Sequence, residues 1–407
     1  MEYGLLGETL GHSFSPQIHQ ALAGYGYELL PTPPEKVEEL FRQREFKGLN
    51  VTIPYKQTVI PLCDSIDPRA SAIGAVNTVV NNGGHLTGYN TDIDGLIYLA
   101  RRTGVDMKGK KVVVLGSGGT SRTAQSAAKE LGASEIVVVS RRGENNYDSL
   151  ARHANAQVLI NTTPVGMYPN CGVSPVSLDA FPNLTGVLDV VFNPLHTALL
   201  MQAEKRGLPC SCGLPMLVAQ AKRAAELFTG KDIPDSRIEE VLSELTAQLQ
   251  NIVLIGMPGC GKTSIGAALA KLLRKRFIDL DGLTVQKAGK EIPEIFAGEG
   301  EAAFRDLESG VVREAGKNTG CVISTGGGVV LREENYAPLH QNGVIFHLTR
   351  SLDALPVDGR PVSQSTALSE LWERRAPLYA AFADHTAGND GTPEETLEKI
   401  VKELNGL

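Results

Sequence analysis

Six cysteines are spread over 407 residues without a single CxxC pair. Cys63, Cys171, Cys210, Cys212, Cys260 and Cys321 have no cysteine or histidine partners at zinc spacing, which argues against a zinc-finger type of site and fits a reduced, cytoplasmic chain. Basic residues are the minority, 39 Lys and Arg against 46 Asp and Glu for a net charge of −7, so a nucleic-acid partner held by phosphate neutralisation is not expected. Small anionic substrates stay open, because a few local cations suffice for those. No uncharged apolar run reaches the roughly 18 residues of a membrane span. The opening Met1-Glu2-Tyr3-Gly4-Leu5-Leu6-Gly7 has no basic n-region, and no secretory signal is expected. Gly/Ser-rich or Pro-rich linkers, internal repeats and low-complexity tracts are also missing. What is there is ordinary globular chain, 42% apolar and 21% charged, long enough for two or three domains.

Strand–helix alternation runs throughout and predicts an α/β layer fold. Up to about residue 100 there is a short apolar run at 3–6, a helical stretch near 16–22 and an extended run over 48–54. Next, Val112-Val113-Val114-Leu115 reads as a parallel strand covered on both faces, followed by a glycine turn, a helix bearing Ala124, Ala127, Ala128 and Leu131, and a strand at 136–139. Further strands are predicted at 157–160 and 186–191. Ser236-Arg237-Ile238-Glu239 has the capping-box form and opens a helix to about 249, with Ile238, Val241, Leu242, Leu245 and Leu249 as its stripe. The strand Ile252-Val253-Leu254-Ile255 follows almost at once, with a junction near Asn251.

Gly256-Met257-Pro258-Gly259-Cys260-Gly261-Lys262-Thr263 fits G-x-x-x-x-G-K-[ST] between an apolar strand and a helix, both of which a P-loop requires. The loop's N–H groups and the helix N-terminus suit phosphate oxygens, Lys262 the β- and γ-phosphates, and Thr263 a Mg²⁺ ion. Downstream, Phe277-Ile278-Asp279-Leu280-Asp281 places two carboxylates two residues apart at a strand end, where both can point the same way. Residues 300–308, Ser324-Thr325-Gly326-Gly327-Gly328, Gly359-Arg360-Pro361 and Arg375-Ala376-Pro377-Leu378-Tyr379 follow in order.

Taken together, these motifs resemble shikimate kinase over residues 251 to about 402. The resemblance implies an ATP- and Mg²⁺-dependent kinase with a P-loop parallel sheet at 251–407. Gly259, Cys260, Gly261, Lys262, Thr263 and Ser264 would hold the nucleotide, with Thr263 and Asp279 on the metal side. Asp281 would take the substrate hydroxyls and position the attacking oxygen. Arg305 and Arg375 would clamp the substrate carboxylate, Gly327 would touch the ring, and Arg360 would reach the transferring phosphate together with Lys262. An anionic acceptor suits paired arginines. The stretch between Leu348 and Arg360 is short for the family, and no arginine stands near the adenine side around 387–392.

Gly116-Ser117-Gly118-Gly119-Thr120-Ser121 is a glycine-rich strand-to-helix turn suited to a dinucleotide. Where NAD binders place an acid, this chain has Ser140-Arg141-Arg142, which suits the 2′-phosphate of NADP(H). Ser13-Phe14-Ser15-Pro16 offers two hydroxyls for a small anion, or a helix start. Asn50-Val51-Thr52-Ile53-Pro54-Tyr55-Lys56, Gly74-Ala75-Val76-Asn77-Thr78, Gly88-Tyr89-Asn90-Thr91-Asp92 and Gly213-Leu214-Pro215-Met216-Leu217-Val218-Ala219-Gln220-Ala221 complete the set.

The set resembles shikimate dehydrogenase over residues 3 to about 247. The resemblance implies a substrate domain from 1–100 and 213–250, and a Rossmann-like NADP domain at 101–212. Ser13, Ser15, Thr52, Asn77 and Gln220 would bind substrate, and Lys56 and Asp92 would be the catalytic pair. Gly116, Ser117, Gly118, Gly119, Thr120, Ser140 and Arg141 would hold the dinucleotide, with Asn161-Thr162-Thr163 lining it and Val190 and Gly213 near the nicotinamide. Phe192 stands where the family usually has Tyr, so weaker substrate binding is expected. The reading is a bifunctional enzyme reducing 3-dehydroshikimate and phosphorylating shikimate. The alternatives are a first half acting on quinate or a related hydroxy acid, and a first half that is a non-catalytic ligand-binding module. Oligomeric state and channelling are not readable.

Overall fold

The computed structural model describes residues 2–11, 13–355 and 367–406. The chain divides into two compact units, Met1–Met167 with Val173–Phe192 and Leu199–Leu245, and Tyr168–Gly172 with Asn193–Ala198 and Thr246–Leu407. Two short segments expected in the cofactor domain therefore pack within the second unit, where His196 N–H donates to the Gln341 carbonyl at 2.8 Å.

The first unit holds two sheets. One comprises β1 (Tyr3–Gly7), β2 (Glu28–Pro31), β3 (Gly48–Val51), β4 (Ser65–Ile66), β5 (Thr78–Asn82) and β6 (His85–Tyr89), in the order β2-β1-β3-β5-β6-β4. Here β1 runs parallel to β2 and β3, while β5 is antiparallel to both β3 and β6. The other comprises β7 (Lys111–Leu115), β8 (Glu135–Val139), β9 (Val158–Asn161), β10 (Gly186–Asp189) and β11 (Cys210–Ser211), all parallel, in the order β11-β10-β9-β7-β8. Its strands are apolar on both faces because helices cover both. Val112, Val114, Val158 and Ile160 pack with Leu96, Leu99, Ala124 and Ala127, whereas Val113, Leu115 and Leu159 pack with Leu178, Leu199 and Leu200.

In the second unit, β12 (Asn251–Ile255), β13 (Arg276–Asp279), β14 (Cys321–Ser324), β15 (Gly343–Thr349) and β16 (His385–Gly388) form a parallel sheet ordered β13-β14-β12-β15-β16. Its core draws on Val253, Leu254, Leu269, Val322, Ile345 and Phe346. Placing β12 in the centre puts the loop after it at the carboxyl edge, between neighbours on both sides.

Local expectations shift in three places. The extended run over 48–54 is a strand only to Val51; Thr52 onward is a turn, since Pro54 brings no N–H to a ladder. The strand expected over 186–191 ends at Asp189, whose carboxylate accepts from the Val191 N–H at 3.0 Å and turns the chain. The helix Ser236–Leu249 begins at Ser236 itself, and Glu239 does not reach back to cap it. Its carboxylate instead takes Arg102 Nε at 2.8 Å and the Tyr98 hydroxyl, because a guanidinium fork outcompetes a backbone amide.

Helix Ser15–Ala23 is pinned to the first sheet through His19, which is 1% exposed. Its ring stacks on Tyr27 at 4.1 Å between centroids, and Nδ1 lies 2.6 Å from the Tyr25 hydroxyl. Burial pushes its pKa down to about 3, against a partial lift from Asn50. The folded value lies below the ordinary 6.5, so the unfolded chain binds this proton more tightly. The resulting stability is complete above pH 6.5 and fades as pH falls toward 3. Between pH 7 and pH 5 the wild type should lose up to about 2 kcal/mol more stability than His19→Phe, at ~1.4 kcal/mol per pH unit; urea midpoints at the two pH values check this.

Candidate active sites

A cleft of about 420 Å³ in the first unit is lined by residues at or beyond the ends of β1, β3 and β6, by Asn77 just before β5, and by residues at the starts of four helices. Lys56 and Asp92 meet in it at 2.6 Å. Lys56 stands on the turn after β3, and Asp92 opens the helix Asp92–Thr103. Asn77 braces the pair: its Nδ2 donates to Asp92 Oδ1 at 2.9 Å and to Thr91 Oγ1 at 3.1 Å. Its Oδ1 accepts from Thr91 N at 2.7 Å and Thr78 Oγ1 at 3.1 Å, so both ends of the amide are engaged. Thr91 Oγ1 lies 3.4 Å from Gln220 Oε1, on the helix Leu214–Thr229.

Ser13, Ser15 and Thr52 share this cleft. Ser13 Oγ is 3.1 Å from Ser15 Oγ and accepts from Ser15 N at 3.3 Å, just ahead of helix Ser15–Ala23. That helix has Phe14 as its N-cap residue without a side-chain cap bond, so neither hydroxyl serves as the cap. Phe192 lines the cleft as well, edge-on to Phe14 with ring centroids 6.2 Å apart.

Thr120, Val190 and Gly213 from the cofactor side line the same cleft. The Gly116–Ser121 turn fits a pyrophosphate. Gly116 has φ +105°, and the helix Gly119–Glu130 starts with no side-chain cap, which leaves its first N–H groups to a ligand. Thr162 Oγ1 is tied to the Leu115 carbonyl at 2.6 Å, and Asn161 to Asp189 at 2.9 Å, which fixes the 161–163 segment beside the turn. Arg141 and Arg142 are exposed after β8, while the Ser140 hydroxyl donates to the Arg142 carbonyl at 2.6 Å and shapes that loop.

A cleft of about 320 Å³ in the second unit brings together Gly259, Gly261, Lys262, Thr263, Ser264, Asp281, Arg305, Gly327 and Arg375. Helix Lys262–Leu273 also begins without a side-chain cap. Lys262 Nζ lies along the loop and donates to the carbonyls of Gly256 and Met257 at 2.9 and 3.0 Å. Cys260 is fully buried under the loop. Thr263 Oγ1 lies 3.4 Å from Asp279 Oδ2 and 3.5 Å from Ser324 Oγ, an oxygen set that fits a hard divalent cation.

The two carboxylates do not share one face of a strand end as expected. Asp279 ends β13 and caps the next helix, accepting from Asp281 N at 3.1 Å, while Asp281 sits in that helix's first turn. They are neighbours through cap geometry. Burial pushes Asp281 above the usual carboxylate range, opposed by Lys262 and reinforced by Asp279. Arg375 Nη1 and the Tyr379 hydroxyl both donate to the Gly327 carbonyl, at 3.2 and 2.5 Å. The glycine run is set by crowding: a Cβ on Gly327 would lie 2.7 Å from Pro258, and one on Gly328 2.2 Å from the Arg305 guanidinium. Arg360 lies outside the described residues.

Sequence reasoning missed Ser324, Glu308, Asn50 and Thr78. Glu308 was readable, three residues after Arg305 on one helix. Ser324 was not, because it reaches Thr263 and Asp279 only through the pairing of β14 between β12 and β13. Asn50 accepts from Tyr27 OH at 2.7 Å and donates to Thr78 Oγ1 at 3.0 Å, linking the wall of the first cleft to the Asn77 brace.

Three family profiles match the chain. Residues 5–79 match the shikimate dehydrogenase substrate binding domain, 213–242 the shikimate 5'-dehydrogenase C-terminal domain, and 258–405 shikimate kinase. The chain is 37% identical over 264 residues to the shikimate dehydrogenase (NADP(+)) of Clostridium perfringens strain SM101, a match covering 60% of this chain and 97% of that protein. Among solved structures it is similar to a chorismate mutase/shikimate 5-dehydrogenase fusion protein from Clostridium acetobutylicum, with a TM-score of 0.57, 36% identity and coverage of 60% of this chain and 96% of that one. The shikimate 5-dehydrogenase from Thermus thermophilus in complex with NADP(H) and shikimate gives a TM-score of 0.55, 32% identity and coverage of 60% and 99%.

The Arg305–Glu308 pair, 2.7 Å apart with 8% and 2% of the side chains exposed, is a buried ion pair of the second cleft beside the buried Lys262 and Arg375. Burial nonetheless pushes Glu308 above its ordinary range, outweighing the pull of Arg305. Removing Glu308 leaves the buried Arg305 with only the more exposed Glu301, 3.0 Å away, so Glu308→Ala should destabilise the second unit by about 3 kcal/mol. Trp372, the chain's one tryptophan, lies in that unit, and its fluorescence on heating checks the loss.

Proposed function

We propose that this chain, which belongs to the shikimate dehydrogenase family and carries a shikimate kinase domain at residues 258–405, catalyses two consecutive steps on one small molecule. The first half reduces 3-dehydroshikimate to shikimate with NADPH, and the second phosphorylates the new 3-hydroxyl with ATP and Mg²⁺. The observation that carries the first activity is the Lys56–Asp92 pair in one cleft with Thr120, Val190 and Gly213. The observation that carries the second is the P-loop sharing a cleft with Asp281, Arg305 and Arg375. When bound, NADPH supplies the hydride and Mg-ATP the phosphoryl group.

In the first cleft, reduction turns a carbonyl oxygen into an alkoxide that needs a proton and nearby positive charge. Lys56 Nζ supplies both, aimed by Asp92, which Asn77 in turn holds. Ser13 and Ser15 would take the substrate carboxylate, with Thr52 and Gln220 on its hydroxyls. Asn77 would reach substrate only through the face its Asp92 and Thr91 bonds leave free. Gly116–Thr120 would hold the pyrophosphate, and Ser140 and Arg141 the 2′-phosphate, which repels the acid that NAD enzymes place there. Val190 and Gly213 would flank the nicotinamide.

In the second cleft, Arg305 and Arg375 would clamp the carboxylate, Asp281 would orient the attacking hydroxyl, and Gly327 would support the ring. Gly259–Ser264 would cradle the nucleotide, with Thr263 and Asp279 on the metal side. The similar curated relatives are shikimate dehydrogenases, which favours shikimate over quinate. The ion pair in the shared cleft favours catalysis over a ligand-sensing role.

A coupled assay of the full chain with 3-dehydroshikimate, NADPH, ATP and Mg²⁺ tests both halves. Lys56→Ala should abolish NADPH oxidation by about 10³-fold or more while leaving ADP formation from added shikimate, and Lys262→Ala the reverse. If either variant keeps its own step, that assignment fails. Phe192→Tyr restores a hydroxyl to the first cleft and should lower the KM for shikimate by about two- to tenfold, the worth of one hydrogen bond; steady-state kinetics of shikimate oxidation check it.

A further inference from the structure

The nucleotide loop is held from behind by a residue 129 positions later in the chain. We propose that Asn389 is a positioning residue for nucleotide binding, turning the Cys260–Gly261 peptide so that the Gly261 N–H faces the phosphates. The proposal rests on the kinase reading of this loop.

Asn389 follows β16 and is 8% exposed. Its Nδ2 donates to the Cys260 carbonyl at 2.8 Å. That peptide is trans, so its N–H points away from its C=O. Drawing the carbonyl back toward Asn389 therefore sends the Gly261 N–H to the opposite side, the concave side of the loop. Were the carbonyl free to turn inward, it would present a partial negative charge to phosphate oxygens. Gly261 leaves the room for this contact: its φ is +100°, and a Cβ there would lie 2.4 Å from Asn389 Nδ2.

The amide is itself fixed. Its Oδ1 accepts from Thr396 Oγ1 at 3.0 Å, and its backbone N–H donates to the Thr349 carbonyl at 2.8 Å. Thr396 is fully buried on the C-terminal helix Pro393–Leu404, which is anchored by a capping box between Thr392 and Glu395. The two ends of the amide are not interchangeable, because the Cys260 carbonyl can only accept. The C-terminal helix thus sets the orientation of a peptide in the phosphate cradle through Asn389.

Asn389→Asp tests this in the full chain, since it keeps the shape and replaces the donor by an acceptor facing the Cys260 carbonyl. The Kd for Mg-ADP by calorimetry and the KM for ATP should both rise on the order of tenfold, as expected for a lost bond in a charge-binding site. The KM for shikimate and the NADPH-dependent activity should stay within about twofold. Asn389→Ser, which keeps a short hydroxyl donor, should recover part of the ADP affinity. An unchanged ADP Kd in folded Asn389→Asp overturns the proposal. So does a joint rise of both kinase KM values with a falling kcat, the signature of a merely structural residue. If the wild type forms no ADP with shikimate, the kinase reading fails, and ADP binding alone still decides the role of Asn389.

Discussion

Lys56 and Asp92 face each other at 2.6 Å with 26% and 13% of their side chains exposed. Both are partly withdrawn from water, and the pairing together with added hydrogen bonds offsets that desolvation. The bonds come from Asn77, and Asn77 is held by Thr91 and Thr78, which Asn50 holds in turn. These residues belong to three segments that meet only because β5 lies between β3 and β6, with Thr78 opposite Asn50 on one side and Tyr89 on the other. A slip of one residue in either pairing would turn Thr78 to the far face of the sheet and dismantle the brace. The register of a short antiparallel ladder therefore stands behind the position of the Lys56 ammonium.

The second cleft meets the same constraint differently. Arg305 is paired with Glu308 one turn away on its own helix, so the bond survives any shift of the sheet. Long-range ties reappear where backbone rather than charge must be oriented, as between Asn389 and Cys260 and between Tyr379 and Gly327. Side-chain donors drawn from the C-terminal third of the chain thus set carbonyl directions in two glycine-rich loops, the elements least able to hold a direction themselves.

What could be read from the sequence follows the range of the interaction. Strands β7, β8, β9 and β12 are legible because burial on both faces leaves an unbroken apolar run. The glycine turns are legible because they need particular residues at particular spacing. The resemblance to known families supplied the pairing of Lys56 with Asp92, which no local pattern shows. Legibility fails where a local rule has a competitor. Glu239 leaves the expected cap for Arg102, and Asp281 joins a helix that Asp279 caps instead of pointing the same way as Asp279 from the end of β13. Ser324 and Thr78 stay hidden for another reason: nothing local tells that β12 lies beside Ser324 or that β3 lies beside Thr78, although the Gly83-Gly84 turn does signal the β5–β6 hairpin.

On the proposed reading the two steps act on the same ring carboxylate, yet the clefts would offer it different partners. The first is lined by the hydroxyls of Ser13 and Ser15, with Lys56 as its lining cation. The second presents two guanidiniums, Arg305 and Arg375, at 7% and 4% exposure. Charge explains the difference. Hydride transfer leaves a single new anion, which proton donation removes at once, so the carboxylate can be met by neutral donors at low desolvation cost. Phosphoryl transfer brings the same carboxylate beside a polyphosphate and makes the product more anionic than the substrate. In a buried cleft that repulsion is weakly screened, and neutral hydroxyls would not offset it. The cost of burying two arginines is met partly by Glu308 and partly by the Gly327 carbonyl, leaving net positive charge for the ligand. An alcohol made in one cleft can thus be an acceptable ligand for both without the clefts sharing a recognition motif.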